Sequence, residues 1–217
     1  MRNIALVCFV CWHKRLMFRE EADMELKRSA LDDMGFKAVG KNVKIYPGAK
    51  IVGCQHITIG DNVIIDDFVF IYATENISIG SYVHMASFCS ITGGGVVVVD
   101  DFCALSSGVR IMCGSDDFHG GGLTNSTIPA DFRKVHRGHI RIGRHSIIGA
   151  NSTVLPDVDV ADGSAIGAQS LVNRSTQPWG IYCGVPARRI ANRPSAEILR
   201  LERELIARDS GLGASQE

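Results

Sequence analysis

The amino-acid sequence predicts an all-β solenoid: a parallel β-helix of hexapeptide repeats, interrupted by one long loop and flanked by short helices. Three observations carry this expectation. First, aliphatic residues recur every six positions, each usually followed by glycine, aspartate or another small residue, as in Ile59-Gly-Asp-Asn-Val-Ile, Ile79-Gly-Ser-Tyr-Val-His, Met85-Ala-Ser-Phe-Cys-Ser and Ile148-Gly-Ala-Asn-Ser-Thr. A period of six matches neither a helix face nor a sandwich of alternating strands, and it is the repeat of a β-helix rung. Three hexapeptides make one triangular coil, with the aliphatic side chain inside the prism and the small residue easing the turn. Second, coils begin at Val39, Ile59, Ile79 and Val99, twenty residues apart, so each carries a two-residue excess at one corner; after the interruption Ile142 and Val160 are eighteen apart. Third, the register breaks between Ile111 and Ile142, where residues 114–139 are polar and glycine-containing. Long excursions from a rigid repeat usually carry function.

Taken in order, residues 1–38 precede the prism. The apolar run Ile4 to Trp12 is far shorter than a membrane span needs and lacks a small-residue cleavage site. Phe18, Ala22, Leu26, Ala30, Leu31 and Met34 stand near helical spacing, so an amphipathic helix over 17–35 is expected to cover the first coil. The β-helix is expected over 39–192, with its loop at 114–139. In 193–217, Pro194 and Ser195 open a run with Ile198, Leu201 and Leu205, which predicts a second capping helix with Ser195 as its N-cap, fraying over 209–217. Both ends of a solenoid need covering.

With 217 residues and 46% hydrophobic residues the chain can bury a full core. Twenty-three basic and twenty-three acidic residues cancel, so no strong field points to nucleic acid or an anionic membrane. Small molecules and copies of the same chain are the expected partners. The seven cysteines (Cys8, Cys11, Cys54, Cys89, Cys103, Cys113, Cys183) are odd in number and lie in apolar stretches, which fits buried thiols in a reducing, cytoplasmic compartment. Cys8 and Cys11 form a lone C-x-x-C with no second pair at zinc-ribbon spacing.

The segment from Ile142 reads Ile-Gly-Arg-His-Ser-Ile-Ile-Gly-Ala-Asn-Ser-Thr-Val-Leu-Pro-Asp-Val, continues as Ile-Gly-Ala-Gln-Ser-Leu-Val-Asn-Arg, and ends in Gly184-Val185-Pro186-Ala187-Arg188. Over residues 39–192 the chain thereby resembles the hexapeptide-repeat acyltransferases, in particular the maltose and galactoside acetyltransferase branch and the sugar acetyltransferases of bacterial polysaccharide gene clusters. The resemblance implies a left-handed β-helix and a homotrimer whose sites lie in clefts between adjacent prisms, near the loop. It implies acetyl-coenzyme A as co-substrate and a sugar-type acceptor, a hydroxyl or an amine, in surface polysaccharide (O-antigen) biosynthesis. Ala150 and Ala168 occupy the positions that flank the pantetheine arm in that family. Arg174 and Arg188 stand where they would meet the phosphates of coenzyme A, a task that suits guanidinium. Ordinary solvated surface is the alternative for both.

The departure from those relatives is the base. They carry a histidine in a Thr-Gly-His-Pro stretch after the coil that ends at Ile111; here the stretch reads Cys113-Gly114-Ser115-Asp116-Asp117, so Asp116 replaces it. His84, His119 and Asp116 therefore compete. Imidazole titrates nearer neutrality than a carboxylate, which ranks His84 first, with Asp116 orienting it or binding the acceptor and Asp117 and His119 on the acceptor side. His56, His136, His139 and His145 read as surface residues, and His13 lies outside the repeat.

Two other classes compete. A zinc enzyme like the γ-type carbonic anhydrases shares the prism, and His84 and His119 are suggestively separated. Leu123 and Thr124 stand where a third ligand is needed, so no metal is expected. A non-catalytic assembly module is the other possibility, opposed by the acidic loop and the coenzyme A-like ending. A cysteine nucleophile has no adjacent base in sequence.

Overall fold

The computed structural model describes residues 25–210. The six-residue repeat becomes a left-handed β-helix with three flat faces of parallel strands. The first face stacks Ala38–Val39, Ile57–Ile59, Ile77–Ile79, Val96–Val99, His139–Ile142 and Asp159–Val160. Its register places Val39, Ile59, Ile79, Val99, Ile142 and Val160 one upon another, so the coil starts expected from the sequence fall in a single column. The second face stacks Lys44–Ile45, Ile64–Ile65, His84–Met85, Ala104–Leu105, Ile147–Ile148, Ala165–Ile166 and Gly180–Cys183, with Arg188–Asn192 added antiparallel. The third stacks Lys50–Val52, Phe70–Tyr72, Ser90–Thr92, Arg110–Met112, Thr153–Val154 and Leu171–Val172.

The prism interior is a pile of aliphatic side chains. Ile45, Ile65, Met85 and Ile148 on the second face and Ile71, Ile91, Ile111 and Val154 on the third are fully buried. Each such side chain contributes about 1.5–3 kcal/mol through removal from water, so the repeat is its own source of stability. The two-residue excess lies where the third face turns into the first: Ile51 to Ile59, Ile71 to Ile79 and Ile91 to Val99 are eight apart, against six for Val154 to Val160. The long loop leaves at this same corner. Its two ends pair as a short antiparallel ribbon, Gly114–Ser115 with His136–Arg137. Gly93 makes room for that ribbon: a Cβ there would stand 2.1 Å from the backbone nitrogen of Gly114, and its φ of 111° is the glycine-favoured region.

The other two corners are built on left-handed residues. Where the first face turns into the second, Asn42, Asn62, Tyr82, Phe102 and His145 all have φ between 53° and 61°. Their rings stack coil upon coil, Tyr82 on Phe102 at 4.7 Å and Phe102 on His145 at 5.1 Å, and Trp179 continues the pile at 6.1 Å. Where the second face turns into the third, Phe68, Phe88, Gly108, Asn151 and Gln169 hold the equivalent conformation.

The flanking helices depart from expectation. Helix α1 covers only Arg28–Asp33; Leu26 lies before it, its N–H donating to Ile45 O at 2.8 Å, and the expected residues up to 24, with Cys8, Cys11, His13, Phe18 and Ala22, lie outside the described residues. Leu31 is buried and Leu26 and Met34 pack on the core, so the segment does cover the first coil. Helix α2, Ala196–Asp209, does not cap the far end. It runs back along the Tyr82–Phe102–His145 corner, where Glu202 meets Arg144 and His145, and Asp209 meets the Tyr82 hydroxyl. Ser195 stands at its N-cap position but makes no side-chain cap bond; the Glu202 ion pairs and the Asp209 contact with Tyr82 tie the helix to the corner instead. His145, expected at the surface, is only 7% exposed, because this helix and the aromatic pile enclose it. Cys54, Cys89, Cys103 and Cys113 are buried free thiols, as expected, and Cys183 is half-buried.

Candidate active site

His84 opens its second-face strand with its side chain outward and half exposed. One coil earlier, Asp66 follows the strand Ile64–Ile65, and its Oδ2 lies 3.2 Å from His84 Nε2. With Nε2–H donating to that carboxylate, Nδ1 is left with its lone pair outward, the arrangement of an oriented imidazole base. Asp116 was expected either to orient His84 or to bind the acceptor; within the single chain the carboxylate beside His84 is Asp66, and Asp116 lies in the loop. The coil period itself pointed to Asp66, which stands eighteen positions before His84, beside the residue its strand pairs with.

Asp116 belongs to the loop. Its Oδ1 accepts from Arg133 Nη2 at 2.8 Å and its Oδ2 from the Asn125 N–H at 3.0 Å. The Arg133 hydrogen bond, then that of Asn125, holds its carboxyl below the usual carboxylate range, so at neutral pH it is an anion and a poor proton acceptor. Asp117 is likewise lowered, by the N–H groups of His119 and Gly121 that its two oxygens accept. Asp116, Asp117 and His119 line one open cleft of about 350 Å³ with Ser115, Phe118, Lys134 and His136. The structure brings those three together and leaves His84 apart on the second face, outside that cleft. Arg133, missed in the sequence, is the residue the loop closes upon; nothing in the local pattern marks a partner seventeen positions away.

On the donor side, Ala150 and Ala168 stand on successive coils at the corner between the second and third faces, linked through the Gln169 N–H to Ala150 O at 2.8 Å. The corner is tight: a Cβ on Gly149 would lie 2.5 Å from the Ala168 nitrogen. Arg174 and Arg188 are exposed at the same C-terminal end, Arg188 donating to its neighbour Ala187 O at 3.0 Å. The buried thiols are not nucleophiles: burial pushes Cys103 up to about 12 and Cys89 up to about 11. Among the described residues there is no group of three or more His, Cys, Asp and Glu side chains placed to hold a metal ion, and no helix is long and apolar enough to cross a membrane.

Comparison with known proteins fits this arrangement. Residues 139–174 match the family described as bacterial transferase hexapeptide (six repeats). The dTDP-4-amino-4,6-dideoxy-D-glucose acyltransferase of Escherichia coli is 42% identical over 173 residues, 79% of this chain and 90% of that protein. A putative lipopolysaccharide biosynthesis O-acetyl transferase, WbbJ of Escherichia coli strain K12, is 33% identical over 70 residues, 32% of this chain and 36% of that protein. Among solved structures, a variant of AntD, an N-acyltransferase from Bacillus cereus in complex with dTDP and coenzyme A, superposes with a TM-score of 0.80 at 38% identity, covering 84% of this chain and 97% of that one. AntD in complex with dTDP and 3-hydroxybutyryl-CoA gives 0.81 at 37% identity, over 86% and 98%. With a relative this similar over nearly its whole length, and the repeat and loop that the fold displays, the chain belongs to the hexapeptide-repeat acyltransferases and is a sugar acyltransferase that uses acyl-coenzyme A.

Proposed function

We propose that the chain transfers an acyl group, acetyl in the first instance, from coenzyme A to the amine of a dTDP-linked 4-amino-4,6-dideoxy sugar, in the cytoplasm and for a bacterial surface polysaccharide. The observation that carries this reading is the 42% identity to the Escherichia coli dTDP-amino-sugar acyltransferase across 90% of its length. AntD, solved with dTDP-4-amino-4,6-dideoxyglucose and coenzyme A, supports the same acceptor. A sugar hydroxyl is the second reading, favoured by the shorter match to WbbJ.

The chemistry balances without a covalent enzyme intermediate. His84 Nδ1 takes a proton from the acceptor ammonium and later releases it to solvent, the freed amine attacks the thioester carbonyl, and the tetrahedral intermediate collapses to an amide as the C–S bond breaks and the proton still surplus on the nitrogen passes to the departing coenzyme A thiolate. Asp66 orients the imidazole. The Asp116 anion, with Asp117 and His119, binds the acceptor from the loop; Ala150 and Ala168 flank the pantetheine arm, and Arg174 and Arg188 meet the phosphates. Because the single chain leaves His84 away from the loop cleft, the reading needs a neighbouring prism to bring them together. Val52, Ile64, Phe70, Tyr72, Met112 and Ile147, each 36–42% exposed on the second and third faces, support a homotrimer that buries this flank.

The test is a release-of-thiol assay with acetyl-CoA and 3-hydroxybutyryl-CoA against dTDP-4-amino-4,6-dideoxyglucose, the free amino sugar and neutral sugars, with light scattering on the same sample. Turnover on the nucleotide-linked amine by a trimer is expected. Turnover on neutral sugars alone would transfer the assignment to O-acylation, and a monodisperse active monomer would remove the shared cleft.

A further inference from the structure

Two corners of the prism carry stacked aromatic rings, and the described residues cover one of them. The Tyr82–Phe102–His145 pile is continued by Trp179, capped by the Arg144 guanidinium 4.7 Å from the Phe102 centroid, and overlaid by α2. At the corner between the second and third faces, Phe68 and Phe88 stack with centroids 5.1 Å apart and planes 7° from parallel, and among the described residues nothing lies over them: they are 62% and 63% exposed. Their spacing is close to the strand separation of about 4.8 Å, so the pile runs along the prism axis. Both residues hold a left-handed backbone, φ 64° and 66°, which is unfavourable for a bulky side chain and persists where something over-determines it. Elsewhere on this corner the left-handed residues are Gly108, Asn151 and Gln169, of which glycine and asparagine adopt the conformation most readily.

The pile is open at both ends. Gly108 follows Phe88 on the next coil, and Gly48 stands twenty positions before Phe68, so neither neighbour continues the stack with a ring. On the Gly108 side the corner leads to Ala150 and Ala168, the donor's track. On the Gly48 side it leads away from the donor, and Asp66, the partner of His84, lies two residues from Phe68. An acceptor whose amine is at His84 must therefore extend its remainder towards the Gly48 end.

We propose that the outer face of Phe68, backed by Phe88, is the platform on which the pyrimidine base of the nucleotide-linked acceptor stacks. The base is the one flat, apolar part of such an acceptor, and a preformed pair of parallel rings, exposed and strained, presents to it a π-face of matching size. This inference rests on the proposed acceptor class and adds the subsite that recognises its nucleotide.

Calorimetric titration of the intact protein with dTDP tests it, using F68A, F68L and F68W, with coenzyme A titrated in parallel and light scattering on every sample. Stacking of one base predicts roughly a ten- to hundredfold weaker dTDP affinity in F68A, nearly the same loss in F68L, which keeps apolar volume but not the flat face, and retention in F68W. Coenzyme A affinity and particle mass should stay at wild-type values. Wild-type dTDP affinity in F68A or F68L would overturn the platform while leaving the amino-sugar acyltransferase intact. Loss of coenzyme A affinity, or a dissociated particle restored by leucine, would also overturn it, assigning the rings to the donor or to a subunit contact. Failure of the wild-type protein to bind dTDP at all, or to acylate the dTDP-linked amine, would instead remove the acceptor class on which the platform rests.

Discussion

The Asp116 carboxylate and the Arg133 guanidinium, 2.8 Å apart, close the excursion across seventeen residues, and the Asn125 N–H on the second carboxylate oxygen ties a third point to the same group. Arg133 is only 18% exposed at its side chain, and its buried Nε has no partner, so among the described residues Asp116 is the one anion its guanidinium pairs with. Arg133→Gln should therefore loosen the loop: KM for the acceptor rises several-fold, kcat falls less, and protease cleavage appears within 114–139. Because the folded-state carboxyl is depressed, the tie is present above the ordinary carboxylate range and is lost only as pH falls through the lowered value. Acceptor KM should be flat between about pH 5 and 8 as far as Asp116 is concerned. Unchanged kinetics and protease resistance in the variant would show that the loop is held by something else.

That depressed carboxyl also separates the two candidate bases. His84→Asn should keep the particle and coenzyme A binding while lowering kcat by about 10²–10⁴, the range for loss of a general base. Asp66→Asn should cost less, since it disturbs only the orientation of the imidazole. If the asparagine enzyme turns over normally and Asp116→Asn is dead, the loop carboxylate is the essential group; if both stay active, the acceptor arrives as a free amine.

Donor binding makes a third, independent expectation. Arg174→Ala and Arg188→Ala should each weaken coenzyme A by a factor of about ten, for the loss of about 1.5 kcal/mol of charge-assisted hydrogen bonding. Both guanidinium groups are exposed, so neither change should move the melting temperature. Affinity unchanged in both variants would return the two arginines to solvated surface.

The prism was legible in the sequence because each rung repeats its own instruction: an inward aliphatic residue every six positions recovers Val39, Ile59, Ile79 and Val99 as one column without knowledge of anything distant. The same arithmetic showed a two-residue excess at one corner of each coil and a break in register at the loop; that both fall where the third face turns into the first is read from the structure. What escaped depends on contacts that no local period encodes. Ser195 stands at the N-cap position the sequence marks yet makes no side-chain cap bond, and α2 lies where Glu202 reaches Arg144 and His145, fifty-eight and fifty-seven positions earlier. For the same reason His145, one polar residue in a corner turn, could not be known as buried. Asp66 was recoverable from the repeat, because its coil lies directly beneath that of His84; Arg133 was not, because the loop has no repeat to count by.

Glu202 supplies the last expectation. Its side chain, 13% exposed, accepts from Arg144 Nε at 2.8 Å and lies 2.8 Å from His145 Nε2, while Arg144 also pairs with Asp101. Burial pushes the Glu202 carboxyl up, but the hydrogen bonds from Arg144 and His145 outweigh it, and the net shift is downward. A depressed carboxylate contributes stability that is present above its unfolded value and disappears as pH falls through the folded one. Glu202→Gln removes that contribution and leaves the Arg144 charge half-paired; with Arg144 a third exposed, the cost should be about 2 kcal/mol, a drop of several degrees in melting temperature at neutral pH. Wild type and variant should converge only once the pH has fallen below the ordinary carboxylate range and through the depressed folded value, where the wild-type carboxylate is protonated as well. If the melting temperatures agree at neutral pH, α2 is held by its apolar side alone. If they differ by the same amount at every pH, the loss is one of packing rather than of charge.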